Sequence, residues 1–217
     1  MRISDDRYSR ERLRMELALR FLRHEARTQT IRTWTGLSDD RIRKLYRSYL
    51  SQARSHLPRH RGKSPRQVGY FTRSQRLQQE SAVLASVLSL LGVVRASVPA
   101  GASPAARPTL SGAARVPARV IVPGAPATTS LADVSGSALP GLTRGELLCE
   151  AFEAFRLLLP SAQISFEHAV FLATALARGD QLRLGGCSDC GSLVVTERFT
   201  LRAVRCPHCA GTAQSRS

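Results

Sequence analysis

The string TQTIRTWTGLSDDRIRKLYRSYL, running from Thr28 to Leu50, decides how the rest of the chain is read. Over residues 29–50 it carries a helix–turn–helix pattern. Gly36 is placed to turn the chain, because glycine alone enters positive φ without a steric cost. Ser38 stands as N-cap of the second helix. Asp39 and Asp40 follow in its first turn, where carboxylates meet the positive end of the helix dipole. Ile31, Leu37, Ile42 and Leu45 are spaced to lock the two helices together. Arg41, Arg43, Lys44 and Arg47 stud the second helix, and a cationic helix after such a turn suits a DNA major groove. Arg32 departs from the pattern, standing where a small residue usually lets helices approach.

Working outward, residues 8–28 predict an amphipathic packing helix, with Leu13, Met15, Leu17, Phe21 and Leu22 at helical spacing between arginines. Residues 54–76 are basic and irregular, and His56 and His60 within them are expected to be solvated. Residues 77–94 return to helical spacing, with Leu77, Leu84, Leu88 and Leu91 on one stripe for a core or a partner subunit. Residues 96–140 are different: 32 of 45 are Ala, Pro, Gly, Ser or Thr, too little apolar surface to offset the entropy of ordering. They predict a flexible linker or insert, with one short apolar patch at Val120–Val122. Two more helices are expected over 143–158 and 164–178, broken near Pro160. Cys149 and His168 on these helices are expected to be structural. With aromatic residues at 6%, the core is expected to be aliphatic and mostly helical.

The charge is strongly positive, with 32 Lys and Arg against 16 Asp and Glu for a net +16. It is concentrated early: residues 1–80 carry net +12 and residues 81–217 net +4. A partner with dense negative charge therefore meets the N-terminal part, and a nucleic acid fits that description. The sequence has no apolar run long enough for a membrane span, and the charged N-terminus predicts no secretory peptide.

The five cysteines follow neither a disulfide framework nor a redox pair. Four fall in two C-x2-C pairs, Cys187/Cys190 and Cys206/Cys209, with fifteen residues between the pairs. That spacing predicts one structural zinc ion. Each tight turn lets two sulfurs reach a single ion, and four thiolates leave no open position to activate water. The intervening Leu193–Arg205 is expected to fold as two short antiparallel strands using Val194, Val195, Leu201 and Val204. His208, between two ligands, is expected to face solvent.

A search for catalysis finds little. No G-x-S-x-G, Walker-type or G-x-G-x-x-G run is present. Glu150 and Glu153, three apart on one helix face, are expected to be solvated charge.

The segment GLSDDRIRKLYRSYL, together with ALARGDQLRLGGCSDCG and the following RCPHC, resembles FlhC, a subunit family of the bacterial flagellar master transcription activator. The matching parts cover residues 10–94 and 143–210. The resemblance implies a cytoplasmic protein that binds zinc through the four cysteines. It further implies a hetero-oligomer with FlhD that binds promoter DNA of flagellar operons and recruits RNA polymerase.

The expected organisation is mainly α: a basic helical DNA-binding region over 1–95, a linker over 96–142, a helical pair over 143–180, a four-cysteine zinc ribbon over 181–211 and a tail over 212–217. The expected function is a non-enzymatic, DNA-binding activator subunit. The alternative is a zinc-stabilised assembly module whose partner supplies most DNA contacts.

Overall fold

The structure, a computed structural model, describes residues 2–53, 65–94, 140–201 and 203–214. The cations and histidines expected between 54 and 64, and nearly all of the 96–142 linker, lie outside the described residues. The fold is mainly helical, with seven α-helices and one two-stranded sheet among the described residues.

Helix α1 runs Arg2–Arg23, α2 Thr28–Thr35 and α3 Asp39–Ala53. A short 3-10 turn at Val68–Phe71 leads into α4, Gln75–Leu90. Beyond residue 139 come α5, Pro140–Leu158, which takes in residues 140–142 that the sequence assigns to the linker, and α6, Phe166–Arg178. The chain ends with strands β1, Leu182–Gly186, and β2, Leu193–Glu197, and helix α7, Pro207–Gln214.

The first helix begins earlier and stops sooner than the 8–28 span its apolar spacing suggests. Its end is a chain-reversing cap without glycine. Glu25 takes a left-handed φ of 59°. The Ala26 N–H reaches Phe21 O at 3.0 Å and the Glu25 N–H reaches Leu22 O at 3.0 Å. These bonds satisfy carbonyls the helix end would otherwise leave unpaired.

The two helices and the glycine turn between them form as the spacing predicts. Gly36 is left-handed at φ 70° and its N–H caps Arg32 O. Ile31, Leu37 and Ile42 are buried and Leu45 is half-buried against them. Arg32 does not obstruct the pair, because its side chain points outward, 3.9 Å from Asp39.

The helices before and after the linker share one core. Helix α5 packs on α1, α2 and α4, while α6 packs on α4 and α5. Leu77, Leu84 and Leu88 of α4 are buried in it, and so is Cys149 of α5. The core is less aliphatic than composition suggests. Phe166 lies 5.0 Å from Phe21, 5.2 Å from Phe152 and 5.0 Å from the ring of His24. The seven phenylalanines are few, yet Phe21, Phe71, Phe155 and Phe166 are fully buried, so placement outweighs number. Trp34 of α2 sits where α1 and α5 meet it, 6.2 Å from Phe21 and with the Arg144 guanidinium 5.9 Å from its ring centre.

Three carboxylates cross-link the bundle. Buried Glu167 accepts the Arg27 N–H at 2.8 Å and the Thr30 hydroxyl at 2.9 Å, at the positive end of α2. Buried Glu80 accepts the N–H groups of Gln163 and Ile164 at 2.9 and 3.3 Å and the Arg76 guanidinium at 2.9 Å. Glu153 is not the solvated charge its spacing implied. It joins α5 to α1, because its carboxylate is where Arg20 and His24 converge.

Candidate metal centre and cationic helix

The cysteine site is built on a hairpin that starts earlier than expected. Strand β1 precedes the first cysteine pair and β2 follows it, in antiparallel register with Leu184 opposite Val195. The cysteine spacing predicts both strands between the pairs, over Leu193–Arg205. Instead the alternation Leu182-Arg-Leu184 forms the first strand, because Leu182, Leu184 and Val195 point into the main helical core. The hairpin is therefore anchored on α4 and α6. Leu201 is not a strand residue and is fully exposed.

The first pair sits in the hairpin turn. The Cys187 N–H bonds Ser192 O at 2.8 Å and the Gly191 N–H bonds Cys187 O at 2.9 Å. Gly191 is left-handed at φ 74°, which returns the chain into β2. The second pair straddles the start of α7. Cys206 precedes the helix, and Pro207 takes its first position, where a missing N–H costs nothing. The Cys209 N–H approaches Cys206 Sγ at 3.4 Å, and the Cys206 N–H approaches Cys187 Sγ at 3.1 Å. The Ser188 N–H ties the two turns together through Val204 O at 3.0 Å. Gln75 of α4 donates to Pro207 O at 2.7 Å, so α7 is fastened to the bundle.

All four sulfurs lie within 4.8 Å of one another, with Cys190 and Cys206 Sγ 3.6 Å apart. None of the cysteines forms a disulfide. Cys187 and Cys206 are buried, Cys209 is half-buried and Cys190 is exposed. Burial opposes ionisation of Cys187, but the amides of Cys206, Cys190 and Asp189 outweigh it and lower the thiol to about 6. Hydrogen bonding from Ser192 lowers Cys190 as well, while hydrogen bonding with the thiols of Cys190 and Cys206 raises Cys209. Thiolate is the form that ligates a metal, so amides aimed at sulfur favour binding. This cluster could hold a metal ion. Ser192, 3.0 Å from Cys190 Sγ, and Gln75 belong to its support and were not foreseen. His208, between two candidate ligands, is exposed, as expected with four sulfurs at hand.

The second candidate is α3. Arg41, Arg43, Lys44 and Arg47 are all exposed on it. Arg41 pairs with Glu11 of α1, and Arg43 lies 3.3 Å from Asp40. No carboxylate among the described residues pairs with Lys44 or Arg47.

Known proteins offer no further guide: no family model matches the chain and no curated protein matches it. Among the described residues, no helix is long and apolar enough to cross a membrane.

Proposed function

We propose that the chain is a DNA-binding subunit of a bacterial transcription activator of the FlhC kind. In this reading it is cytoplasmic, performs no catalysis and acts with an FlhD-like companion on double-stranded promoter DNA to recruit RNA polymerase. One observation carries the reading. The second helix of a helix–turn–helix presents Arg41, Arg43, Lys44 and Arg47 to solvent on a chain of net +16. Such a helix fits the major groove, with phosphate contacts supplying affinity and a few arginines reading bases. The pair Arg43–Asp40 is exposed, and exposed pairs contribute only about 0–1 kcal/mol, so phosphate can displace that carboxylate, whereas Arg41 is held by half-buried Glu11.

We further propose that the cysteine site holds one structural zinc ion. A tetrahedral ion with Zn–S of about 2.3 Å spaces its sulfurs about 3.8 Å apart. The observed cluster, with all sulfurs within 4.8 Å and one pair at 3.6 Å, is close to that arrangement. Zinc bound there would hold the two turns together and polarise no substrate, since four thiolates complete its coordination.

The test is a titration of the chain, alone and with an FlhD-like subunit, onto a flagellar promoter duplex over a range of salt. Lys44→Ala and Arg47→Ala are each expected to weaken binding across sequences and to reduce the salt slope by about 1. Unchanged affinity and slope in both variants would remove α3 from the interface. If the companion alone binds as tightly as the pair, the chain is an assembly module. Metal analysis of the purified protein is expected to find one zinc per chain.

A further inference from the structure

The ribbon carries a feature that α3 does not account for. Past β2 the chain turns through Arg198–Thr200 and leaves two large apolar side chains in solvent. Phe199 is 82% exposed and Leu201 100% exposed. Single exposed apolar residues are ordinary on any protein surface. These two stand two positions apart on a turn that arginines hold in shape. The Arg198 guanidinium lies 5.9 Å from the Phe199 ring centre and donates to Gly179 O at 2.9 Å. Arg183 of β1 donates to Thr200 O at 3.0 Å. Both bonds go to neutral carbonyls, which fix the guanidinium groups without cancelling their charge. Just before the second cysteine pair, Arg205 meets Asp189 at 3.2 Å, an exposed pair. Residues 181–211 hold four arginines against the two carboxylates Asp189 and Glu197.

Apolar tips flanked by arginines match the chemistry of proteins that press a side chain against a base step in the minor groove while cations hold the neighbouring phosphates. A docking site for a folded protein is ordinarily a contiguous packed patch with a polar rim. Here two tips project from a short turn, and the surrounding charge is positive on a strongly positive chain. We propose that the turn Arg198–Leu201 is a second contact with duplex DNA, in which Phe199 and Leu201 wedge against a base step and Arg183 and Arg198 hold flanking phosphates. The inference rests on the reading of the chain as a DNA-binding protein. It adds a surface separate from α3, which packs on α1 and α2, whereas the ribbon packs on α4 and α6.

The experiment uses the full chain, alone and with an FlhD-like subunit, on a mixed-sequence duplex carrying 2-aminopurine beside a TA step. Pyrimidine–purine steps unstack most readily, and 2-aminopurine brightens when unstacked. The unmodified chain is expected to raise the fluorescence. The double variant Phe199→Ala/Leu201→Ala is expected to abolish the rise and bind about tenfold more weakly, with the salt slope unchanged because no cation is lost. Arg183→Ala/Arg198→Ala is expected to lower the slope by about 2. Circular dichroism and metal content confirm that each variant folds. A Phe199/Leu201 double variant that keeps both affinity and fluorescence rise overturns the wedge, and more so if it loses the companion subunit, since the tips then dock protein. If the unmodified chain fails to bind any duplex, the functional reading itself falls. If α3 variants weaken binding and the double variant does not, only the wedge falls.

Discussion

Arg20 and Glu153, 133 positions apart, meet through two parallel hydrogen bonds, Nε to Oε1 at 3.0 Å and Nη2 to Oε2 at 2.7 Å. The planar fork of the guanidinium matches the carboxylate, the geometry in which arginine pairs most strongly. Hydrogen bonding to Arg20 holds the Glu153 carboxyl below its ordinary value. Through this contact a helix before the linker grips one after it. Glu153→Ala is expected to lower stability by about 1–2 kcal/mol, discounted because the carboxylate is 42% exposed, with Glu153→Gln falling between. Urea unfolding of the three proteins checks this. Equal midpoints would mean that the pair adds nothing.

The histidines make the fold acid-sensitive. Burial lowers the pKa of His24, although Glu153 opposes it, and burial lowers His168 too. The folded state therefore takes up protons later than the unfolded chain as pH falls. The unfolded state binds more protons just below about 6.5, so stability decreases there as the solution is acidified. Glu153 adds a loss at lower pH, below the ordinary carboxylate range. At the alkaline end burial pushes the Cys149 thiol up to about 12, so stability declines as pH rises above 9, where the unfolded thiol ionises first. Urea midpoints between about pH 7.5 and 5.5 should fall, and His168→Gln should flatten the slope. A flat profile would contradict the burial of these rings.

Gly145 of α5 lies against α1 and α2. A Cβ there would stand 2.8 Å from Leu17 Cδ2 and 3.4 Å from Trp34 Cε3. Leu17 is fully buried within the main core cluster. Alanine gains about 1 kcal/mol of helix propensity, but overpacking costs about 1–3 kcal/mol, so Gly145→Ala is expected to destabilise by up to about 2 kcal/mol. Gly145→Val should be clearly worse. Thermal melts decide; a raised midpoint for Gly145→Ala would show that the helices separate easily.

Glu80 is expected to be a structural carboxylate of high cost. Removing it leaves the N–H groups of Gln163 and Ile164 without their acceptor and the Arg76 guanidinium with its remaining bond to Ser161 O at 2.6 Å. Glu80→Ala should cost about 2–4 kcal/mol, and Glu80→Gln less, because an acceptor remains. Denaturant unfolding measures both.

Metal removal should act locally. Chelation, or Cys187→Ser, is expected to free α7 and the cysteine turns, whose small core is Cys187, Val194 and Cys206. The helical bundle should keep its cooperative melt, since Leu182, Leu184 and Val195 bind the hairpin to it without the ion. Cys149→Ser should retain full metal content. Hydrogen exchange before and after chelation separates local from global loosening.

What could be read from the sequence was what local spacing dictates. Gly36 and the periodic Ile31, Leu37 and Ile42 announce two short helices, and cysteines paired across two intervening residues announce one cluster of sulfurs. The first-helix cap was hidden because Glu25, not glycine, takes the left-handed position. Glu153 reads as surface charge because its partners lie 129 or more positions away, and nothing local marks Glu80 or Glu167, whose long-range partners lie 83 or more positions away. The strand before Cys187 was visible in the Leu182-Arg-Leu184 alternation, but the cysteines drew the hairpin inward. Nothing in spacing alone distinguishes Leu201, fully exposed, from Val195, which is buried.

Trp34 is the chain's sole tryptophan, and it stands at the meeting of α1, α2 and α5 beside Phe21, Gly145 and Arg144. Its emission is thus an intrinsic optical gauge of one junction, undiluted by any second indole. Separation of α5 from the first two helices would wet the ring and redden its light, while events confined to the distant cysteine turns would leave the colour unchanged.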